Sequence, residues 1–241
     1  MSKINLTMAN LNTKWLNLVF IIDKSGSMYP STQDVIGGFN KIIDEQKAIK
    51  DGKVTVSLYT FNEKVTEEYL GIDINDIKEF KYNAGGSTAM NDGIGVGIDN
   101  VGKWLHEKDV NGEEMPGKTL VVVMTDGMEN ASREYTLKTV QDKIKEQTEK
   151  YSWEFIYQGC DITTSKAADE LGFKFKTYSS RSKFAKNYDM INCAVSNYRS
   201  MANTGASLDA ATLSFCDTLN EEALKATTEY EAEIGKKIST N

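Results

Sequence analysis

The sequence of 241 residues predicts an α/β fold: a doubly wound, mostly parallel six-stranded sheet with one antiparallel edge strand and helices on both faces. Short, continuous apolar runs rich in β-branched residues are typical of strands that are buried on both faces, as they are in parallel sheets. The segments between these runs carry apolar residues at helical spacing, which predicts amphipathic helices. Strands that alternate with helices favour right-handed crossovers, and these crossovers place helices on both faces of the sheet.

Six segments are predicted to form the strands of this sheet. The runs at residues 18–22 and 119–124 are almost entirely apolar and give the clearest buried strands. Hydrophobic residues alternate with polar ones at residues 53–61, and residues 65–74 are predicted to return beside them as the antiparallel edge strand. The remaining two strands are predicted at residues 153–157 and 173–178.

The domain is predicted to span residues 14–200, and the composition changes near its end. After about Asn203 the chain is rich in Ala, Thr, Glu and Lys and carries few large apolar residues. Residues 201–241 are therefore assigned to a C-terminal tail that is either helical and loosely docked or partly disordered. Within the domain, the polar segment at residues 111–117, which includes Pro116, is predicted to be a turn.

Charge and cysteine content limit the classes of partner and the compartment. A net charge of −7 argues against nucleic acid and anionic membranes, because both attract basic surfaces. No apolar run approaches the ~18 residues that a membrane-spanning helix needs, and the run at residues 16–22 lacks the flanks of a signal peptide. The three cysteines, Cys160, Cys193 and Cys216, have no paired or metal-type spacing and are expected to be free thiols in a reducing compartment. We therefore expect a cytoplasmic protein.

Three loops at one edge of the predicted sheet carry the residues that stand out chemically. In doubly wound sheets, ligands bind outside the carboxyl ends of the strands. The first loop places Asp23, Ser25 and Ser27 at alternating positions, and Gly26 lets its backbone curl so that the hydroxyls can converge. The second loop ends in a threonine behind a pair of glycines, and the third carries an aspartate directly after a buried strand. The candidate metal ligands are Asp23, Ser25, Ser27, Thr88 and Asp126.

These five residues offer only oxygen atoms, from two carboxylates and three hydroxyls. Hard cations choose oxygen ligands, and Mg²⁺ keeps waters in an octahedral shell, so we expect Mg²⁺, with Mn²⁺ or Ca²⁺ as substitutes. The absence of Cys and His from the set argues against a dedicated zinc site. Two carboxylates only balance the charge of a divalent ion, so an open coordination position favours an Asp or Glu of a partner protein. Glu129 and Asn130, which follow in the third loop, are candidates for the rim of this site or for the layer behind its ligands.

The order and spacing of these residues resemble the metal-ion-dependent adhesion site of von Willebrand factor A domains. The motif consists of Asp23-x-Ser25-x-Ser27, then Thr88 after two glycines, then Thr125-Asp126-Gly127, and the resemblance covers residues 14–200. It implies the Rossmann-like fold of that family, with Ser25, Ser27 and Thr88 bound directly to the metal. By the same resemblance, Asp23 and Asp126 bind directly or through water. The stretches at residues 37–40 and 45–47 further resemble prokaryotic and phage-borne members.

The resemblance implies a metal-dependent protein-binding module, such as an adhesion or assembly adaptor, rather than an enzyme. Two alternatives stay open: a metal-dependent hydrolase that processes phosphates with the same carboxylates, and a structural component in which the metal only stabilises loops. A simpler explanation is that Ser25, Ser27 and Asp126 cap helices and close turns. The complete set of five residues in order, each at a strand-to-helix loop, favours the metal site over this explanation.

The single histidine and a run of glycines are assigned structural roles. His106 lies at the polar end of a helical segment, where solvation or C-capping is expected, so a Ser-His-Asp triad has little support. Gly93, Gly95 and Gly97 fall inside a helix pattern rather than after a strand. We expect them to permit close packing of a helix on the sheet rather than to bind a dinucleotide.

Overall fold

The computed structural model describes residues 10–160, 165–179 and 186–239. Its strands are β1 (Leu11–Asp23), β2 (Lys53–Phe61), β3 (Val65–Asp73), β4 (Met115–Thr125), β5 (Glu154–Cys160) and β6 (Phe175–Ser179). They form one sheet in the order β3-β2-β1-β4-β5-β6. The pair of β2 and β3 is antiparallel, and the other four pairs are parallel. The predicted mostly parallel six-stranded sheet with one antiparallel edge strand is confirmed.

Helices cover both faces of the sheet. They are α1 (Thr32–Ala48), α2 (Met90–Val110), α3 (Leu137–Tyr151), α4 (Ser165–Leu171), α5 (Lys186–Asn203) and α6 (Leu208–Ser239), with 3₁₀ turns at Gly26–Ser31 and Ile74–Asp76. Successive residues of β1 point to opposite faces, so Phe20 belongs to a hydrophobic cluster with α1, α5 and α6. Its neighbour Ile21 belongs to a second cluster, with α2, α3 and α4. The doubly wound arrangement is therefore also as predicted.

The order of the strands brings three loops to one edge of the sheet. β1 and β4 are parallel neighbours, and Ile22 is paired with Met124, so both strands end at the same edge. Loop 1 (residues 24–31) joins β1 to α1, and loop 3 (residues 126–136) joins β4 to α3. Loop 2 (residues 77–89) leads into α2, which covers the face of the sheet opposite to α1. The predicted ligands lie in these loops or at the end of β1.

The predicted turn at residues 111–117 is only partly correct. The chain turns at Gly112, which has a φ of 68°, but β4 already begins at Met115 and includes Pro116. Pro116 is paired with Asn12 just before the register between β1 and β4 shifts. A proline has no N–H to donate, so it is tolerated in a strand where the ladder is irregular.

The tail begins with helix turns that are closely packed. The predicted division at residue 200 falls within α5, and α6 buries Phe215 and Leu219 completely in the first hydrophobic cluster. The ring of Phe215 meets that of Tyr198 edge to face, with 6.3 Å between centroids. The sequence predicted a helical, loosely docked or partly disordered tail because large apolar residues are sparse here, but Ala211, Phe215 and Leu219 share one face of the helix and are buried.

Two structural observations concern the predictions about membrane-spanning segments and cysteines. None of the helices in the described ranges combines the length and apolar composition that crossing a bilayer requires. Cys193 and Cys216 are free thiols, whereas the side chain of Cys160 lies outside the described residues.

Candidate metal centre

The backbone of loop 1 is joined to that of loop 2. The N–H of Gly26 donates to the carbonyl of Gly86 at 3.0 Å, and the N–H of Gly85 donates to the carbonyl of Lys24 at 2.7 Å. Gly86 has a φ of 86°, a left-handed conformation that favours glycine. Gly26 and Gly86 therefore let the second loop run directly against the first.

The backbone of loop 2 is joined in turn to loop 3 through Thr88. The N–H of Thr88 donates to Oδ1 of Asn130 at 2.9 Å. The carbonyl of Thr88 accepts from the N–H groups of Asn130 and Ala131, at 3.0 and 3.2 Å. Both backbone groups of this predicted ligand are thus held, and its hydroxyl is presented from a fixed position.

Four of the five predicted ligands form a chain of hydrogen bonds. Oδ1 of Asp23 accepts from the N–H of Ser25 at 2.7 Å. The hydroxyls of Ser25 and Ser27 are 3.1 Å apart, and Ser27 donates to Oδ1 of Asp126 at 2.5 Å. The carboxylates of Asp23 and Asp126 are therefore connected through the two serines, whose hydroxyls lie close together.

Gly127, in loop 3, lies where side-chain oxygens from β1, loop 1 and loop 2 converge. A methyl group added there would lie 3.3 Å from Oγ1 of Thr88, 3.4 Å from Oγ of Ser27 and 3.8 Å from Oδ2 of Asp23. A side chain at this position would crowd these three oxygens, and glycine keeps the space between them open. The residues present therefore fit a small cation with oxygen ligands, which is the class of ion the sequence predicts.

Asp23 is held in an environment that disfavours its negative charge. Burial raises the pKa of the carboxyl group from 3.8 to about 6, against the opposing effects of hydrogen bonds from Thr125 and Ser25, and the nearby charge of Asp126 raises it further. A buried carboxylate is destabilised unless it is paired or binds a cation. The electrostatics of this carboxylate thus favour a positive ion beside it.

Two residues outside the predicted set of ligands hold Asp23 in position. Thr125, the last residue of β4, donates its hydroxyl to Oδ2 of Asp23 at 2.6 Å. Tyr82, in loop 2, donates its hydroxyl to the backbone carbonyl of Asp23, also at 2.6 Å. The position of Thr125 beside Asp126 gave a possible signal, but Tyr82 lies 59 residues from Asp23 in a stretch without a motif.

Glu129 and Asn130 lie in the layer behind the predicted ligands. Besides the bond from Asn130 to Thr88, the carboxylate of Glu129 accepts from the N–H groups of Asn91, Ala131 and Ser132, at 2.8 to 2.9 Å. It also accepts from the hydroxyl of Ser132 at 2.7 Å. Glu129 therefore fastens loop 3 to the first turn of α2.

Asp92 also fastens loop 3 to the first turn of α2, although no sequence motif indicated this role. Its carboxylate accepts from the N–H groups of Arg133, Glu134 and Tyr135, at 2.8 to 3.0 Å. Asp92 lies in the first turn of α2, where the partial positive charge of the helix end favours an acid. Together Asp92 and Glu129 hold loop 3 in place behind Asp126.

Across the described residues, no three side chains of His, Cys, Asp or Glu have the arrangement of a metal site. The candidate centre contains two acids, so it would depend on hydroxyl ligands for the rest of its coordination. His106 is exposed near the end of α2, about 24 Å along that helix from the end beside loop 2. It does not contribute to the centre.

Two of the three glycines of α2, Gly93 and Gly97, permit close packing on the sheet, as predicted, and Gly95 packs against loop 3 instead. A methyl group on Gly93 would lie 2.7 Å from the ring of Phe61, and one on Gly97 would lie 2.9 Å from Ile21, both in the sheet. A methyl group on Gly95 would lie 2.3 Å from the ring of Tyr135 in loop 3. The helix can therefore approach both the sheet and loop 3 closely.

Residues 17–152 match the family described as von Willebrand factor type A domain. This match covers more than half of the 241 residues, and the chain belongs to the von Willebrand factor type A domain family. The resemblance deduced from the motif is confirmed at the level of the family. A comparison with curated proteins found no significant match.

Several solved structures share the fold. Proximal thread matrix protein 1 from the mussel byssus is 16% identical, with a TM-score of 0.52 over 74% of this chain and 45% of its own. The PilB minor pilin from Streptococcus sanguinis is 12% identical, with a TM-score of 0.51 over 78% of this chain and 62% of its own. A von Willebrand factor type A protein from Catenulispora acidiphila is 15% identical, with a TM-score of 0.50 over 76% of this chain and 42% of its own. The chain thus spans roughly half the length of these proteins, and at such identities the likeness concerns the fold alone.

Proposed function

We propose that this domain is a divalent-metal-dependent protein-binding module. In this proposal Mg²⁺, or Mn²⁺ or Ca²⁺ in its place, is held by Asp23, Ser25, Ser27, Thr88 and Asp126. The observation that carries the proposal is the convergence of side-chain oxygens from the end of β1, loop 1 and loop 2 around Gly127. The bound ion would supply a Lewis-acidic position that an Asp or Glu of a partner protein can occupy.

The charges of the site support an acidic partner group. Asp23 and Asp126 together carry two negative charges, which balance a divalent ion without exceeding its charge. The other three predicted ligands are neutral hydroxyls, so they lower the ion's affinity for a further carboxylate less than additional acids would. The supporting carboxylates behind the site, Asp92 and Glu129, already accept hydrogen bonds on both of their oxygens.

We further propose that the module is not an enzyme and that it acts in the cytoplasm. A phosphate-processing hydrolase would need a general base or nucleophile beside the ion. His106, the only histidine, lies away from the three loops. The free thiols of Cys193 and Cys216 support a reducing compartment. A prokaryotic or phage origin rests on the resemblance of residues 37–40 and 45–47.

Metal binding is tested first, by calorimetric titration of chelator-treated protein with MgCl₂, MnCl₂ and ZnCl₂. We expect weak to moderate, chelator-reversible binding of Mg²⁺ and Mn²⁺, which Asp126→Ala abolishes. Asp142→Ala is the matched control, because Asp142 is an exposed acid of α3 that is paired with Lys138. Tight binding of Zn²⁺ without a response to Mg²⁺ would count against the site.

Partner chemistry is tested with a library of random short peptides displayed on phage. The protein is immobilised in Mg²⁺, and bound phage are released with EDTA. We expect Asp or Glu to be enriched at one position of the released peptides, and expect no such enrichment on the Asp126→Ala variant. Hydrolysis of p-nitrophenyl phosphate that needs Mg²⁺ and is lost in the same variant would favour the hydrolase instead.

A further inference from the structure

Two large hydrophobic side chains are exposed at the rim of the candidate centre. Tyr29, in loop 1, is 74% exposed, and Met128, in loop 3, is 66% exposed. Five other large hydrophobic residues in the described ranges are exposed, on β3 or on helices: Ile72, Val110, Leu137, Leu213 and Leu224. Single exposed hydrophobic residues are common on soluble proteins. A pair of them beside one polar site calls for an explanation.

The two side chains belong to loops that touch each other at the centre. Tyr29 follows Ser27 by two residues, and Met128 follows Asp126 by two residues. Ser27 donates to Asp126 at 2.5 Å, and the position of a methyl group on Gly127 is 3.4 Å from Oγ of Ser27. The exposed apolar groups therefore flank the contact between loops 1 and 3.

Loop 2 gives the remaining part of the rim a different character. Glu63, in the turn between β2 and β3, is exposed and accepts from the N–H of Ser87 in loop 2 at 3.2 Å. Its backbone hydrogen bonds lower the pKa of its carboxyl group, and the charges of Lys64 and Lys24 add to this effect. The rim is thus ionic beside loop 2 and apolar beside loops 1 and 3.

We propose that Tyr29 and Met128 form an apolar contact surface for a partner segment whose metal-binding Asp or Glu is next to a large apolar side chain. This inference rests on the proposed function. The candidate ion attracts the acid, and the two exposed side chains offer apolar area that only an apolar neighbour of that acid would cover. Tyrosine and methionine suit this role, because they are enriched in the cores of interfaces and because methionine adapts to differently shaped groups.

The inference is tested with three fluorescein-labelled peptides. Each consists of glycine residues on both sides of a central tripeptide, which is Leu-Asp-Leu, Ser-Asp-Ser or Leu-Asn-Leu. Binding is measured by fluorescence anisotropy in Mg²⁺ and in EDTA. Covering the leucine side chains removes apolar surface from water, so we expect Leu-Asp-Leu to bind roughly tenfold more tightly than Ser-Asp-Ser. Leu-Asn-Leu is expected to bind at least tenfold more weakly than Leu-Asp-Leu.

The double variant Tyr29→Ser/Met128→Ser should remove the preference for Leu-Asp-Leu over Ser-Asp-Ser. Its affinity for Mn²⁺, measured by calorimetry, should stay within twofold of the parent protein. Val110→Ser is the matched control, because Val110 is 70% exposed and lies about 30 Å from loop 2 at the far end of α2. It should leave both peptide and metal binding unchanged.

The outcomes separate this inference from the proposed function. If Ser-Asp-Ser binds as tightly as Leu-Asp-Leu, or if the double variant keeps the preference, the apolar surface is refuted while the acid-binding function stands. If Leu-Asn-Leu binds as well as Leu-Asp-Leu, or if EDTA has no effect, the proposed function fails as well. Absence of binding by all three peptides would also overturn both.

Discussion

Asp23 and Asp92 are both buried acids beside the same three loops, but their surroundings differ. Asp92 accepts three backbone N–H groups of loop 3 and lies in the first turn of α2, where the helix end favours a negative charge. Asp23 accepts one backbone N–H, from Ser25, and the hydroxyls of Thr125 and Ser25, and it lies near a second carboxylate; burial raises the pKa of its side chain to about 6. The negative charge of Asp92 is therefore balanced by N–H groups of the protein, whereas that of Asp23 would be balanced by a bound cation.

This difference separates a structural acid from one that is suited to a cation. The carboxylate of Asp92 has its oxygens directed at N–H groups, so it holds loop 3 whether or not a metal is bound. The carboxylate of Asp23 has an oxygen that converges with hydroxyls from loops 1 and 2. We infer that the metal-free protein retains the shape of the site, because the acids behind it maintain the loops.

The largest expected effect is on stability, from Asp92→Ala. Three N–H groups of loop 3 would lose their acceptor, at about 1 kcal/mol each, so the free energy of unfolding should fall by about 3 kcal/mol. Urea denaturation of the metal-free protein measures it. Asp92→Asn keeps the oxygen that accepts from Glu134 and Tyr135 and should lose less. A loss below about 1 kcal/mol in the Ala variant would show that loop 3 does not depend on this acid.

The opposite sign is expected for Asp23→Asn in the metal-free protein. The raised pKa means that ionised Asp23 destabilises the folded state at pH 7, by about 2–3 kcal/mol for a shift of roughly two pH units. The amide can still accept from Ser25 and can donate to the hydroxyl of Thr125, which lies 3.4 Å from the carbonyl of Gly127. We therefore expect the variant to be more stable than the parent at pH 7 and to bind no Mg²⁺.

The same pKa shift sets the pH range of this effect. The folded-state pKa of about 6 lies above the ordinary value of 3.8, so the destabilisation is complete above pH 6 and disappears as the pH falls towards 4. The difference in unfolding free energy between Asp23→Asn and the parent should thus shrink from pH 7 to pH 4. A difference that does not change over this range would show that the charge of Asp23 is already compensated.

The sequence predicted the strands and the positions of the three loops well because the signals for both are local. The short apolar runs at residues 18–22 and 119–124 indicate buried strands. Neighbouring parallel strands end at the same edge of a sheet. The acids and glycines that follow such strands could therefore be placed without coordinates. Pro116 shows the limit of local signals, since its turn propensity was outweighed by pairing with Asn12.

The groups that support the ligands could not be predicted, because their partners are distant in sequence. Asp92 contacts residues 41 to 43 positions away, and Tyr82 contacts Asp23 across 59 positions. Nothing in the local pattern around either residue indicates those contacts. The burial of Phe215 was likewise not predicted, because its contacts with Tyr198 and the first hydrophobic cluster depend on how α6 packs against α5.

A smaller effect, on metal affinity alone, is expected from Gly127→Ala. The added methyl group would lie 3.3 to 3.4 Å from the hydroxyl oxygens of Thr88 and Ser27, closer than ordinary contact, so these side chains must give way by a few tenths of an ångström. We expect Mg²⁺ affinity to fall by about tenfold, or roughly 1.4 kcal/mol, with less than that lost in stability. Calorimetry and urea denaturation measure the two quantities. Unchanged affinity would mean that the oxygens around Gly127 do not hold the ion.

The smallest expected effect separates metal binding from partner binding at Thr88. Its N–H and carbonyl are both held by loop 3, so Thr88→Ala should remove the hydroxyl without moving the backbone, and unfolding free energy should change by less than about 1 kcal/mol. The hydroxyl is a neutral ligand. If this hydroxyl bound the ion while Asp126 acted through water, the ion would be less neutralised and would attract an incoming carboxylate more strongly.

Thr88→Ala should therefore weaken binding of the Leu-Asp-Leu peptide by more than it weakens binding of Mg²⁺. We expect about threefold for the metal and about tenfold for the peptide, a difference below 1 kcal/mol. Thr88→Ser keeps the hydroxyl and is the control that should restore both affinities. Equal losses in metal and peptide binding would show that Thr88 is an ordinary ligand, and that the charge on the ion is set by Asp23 and Asp126 alone.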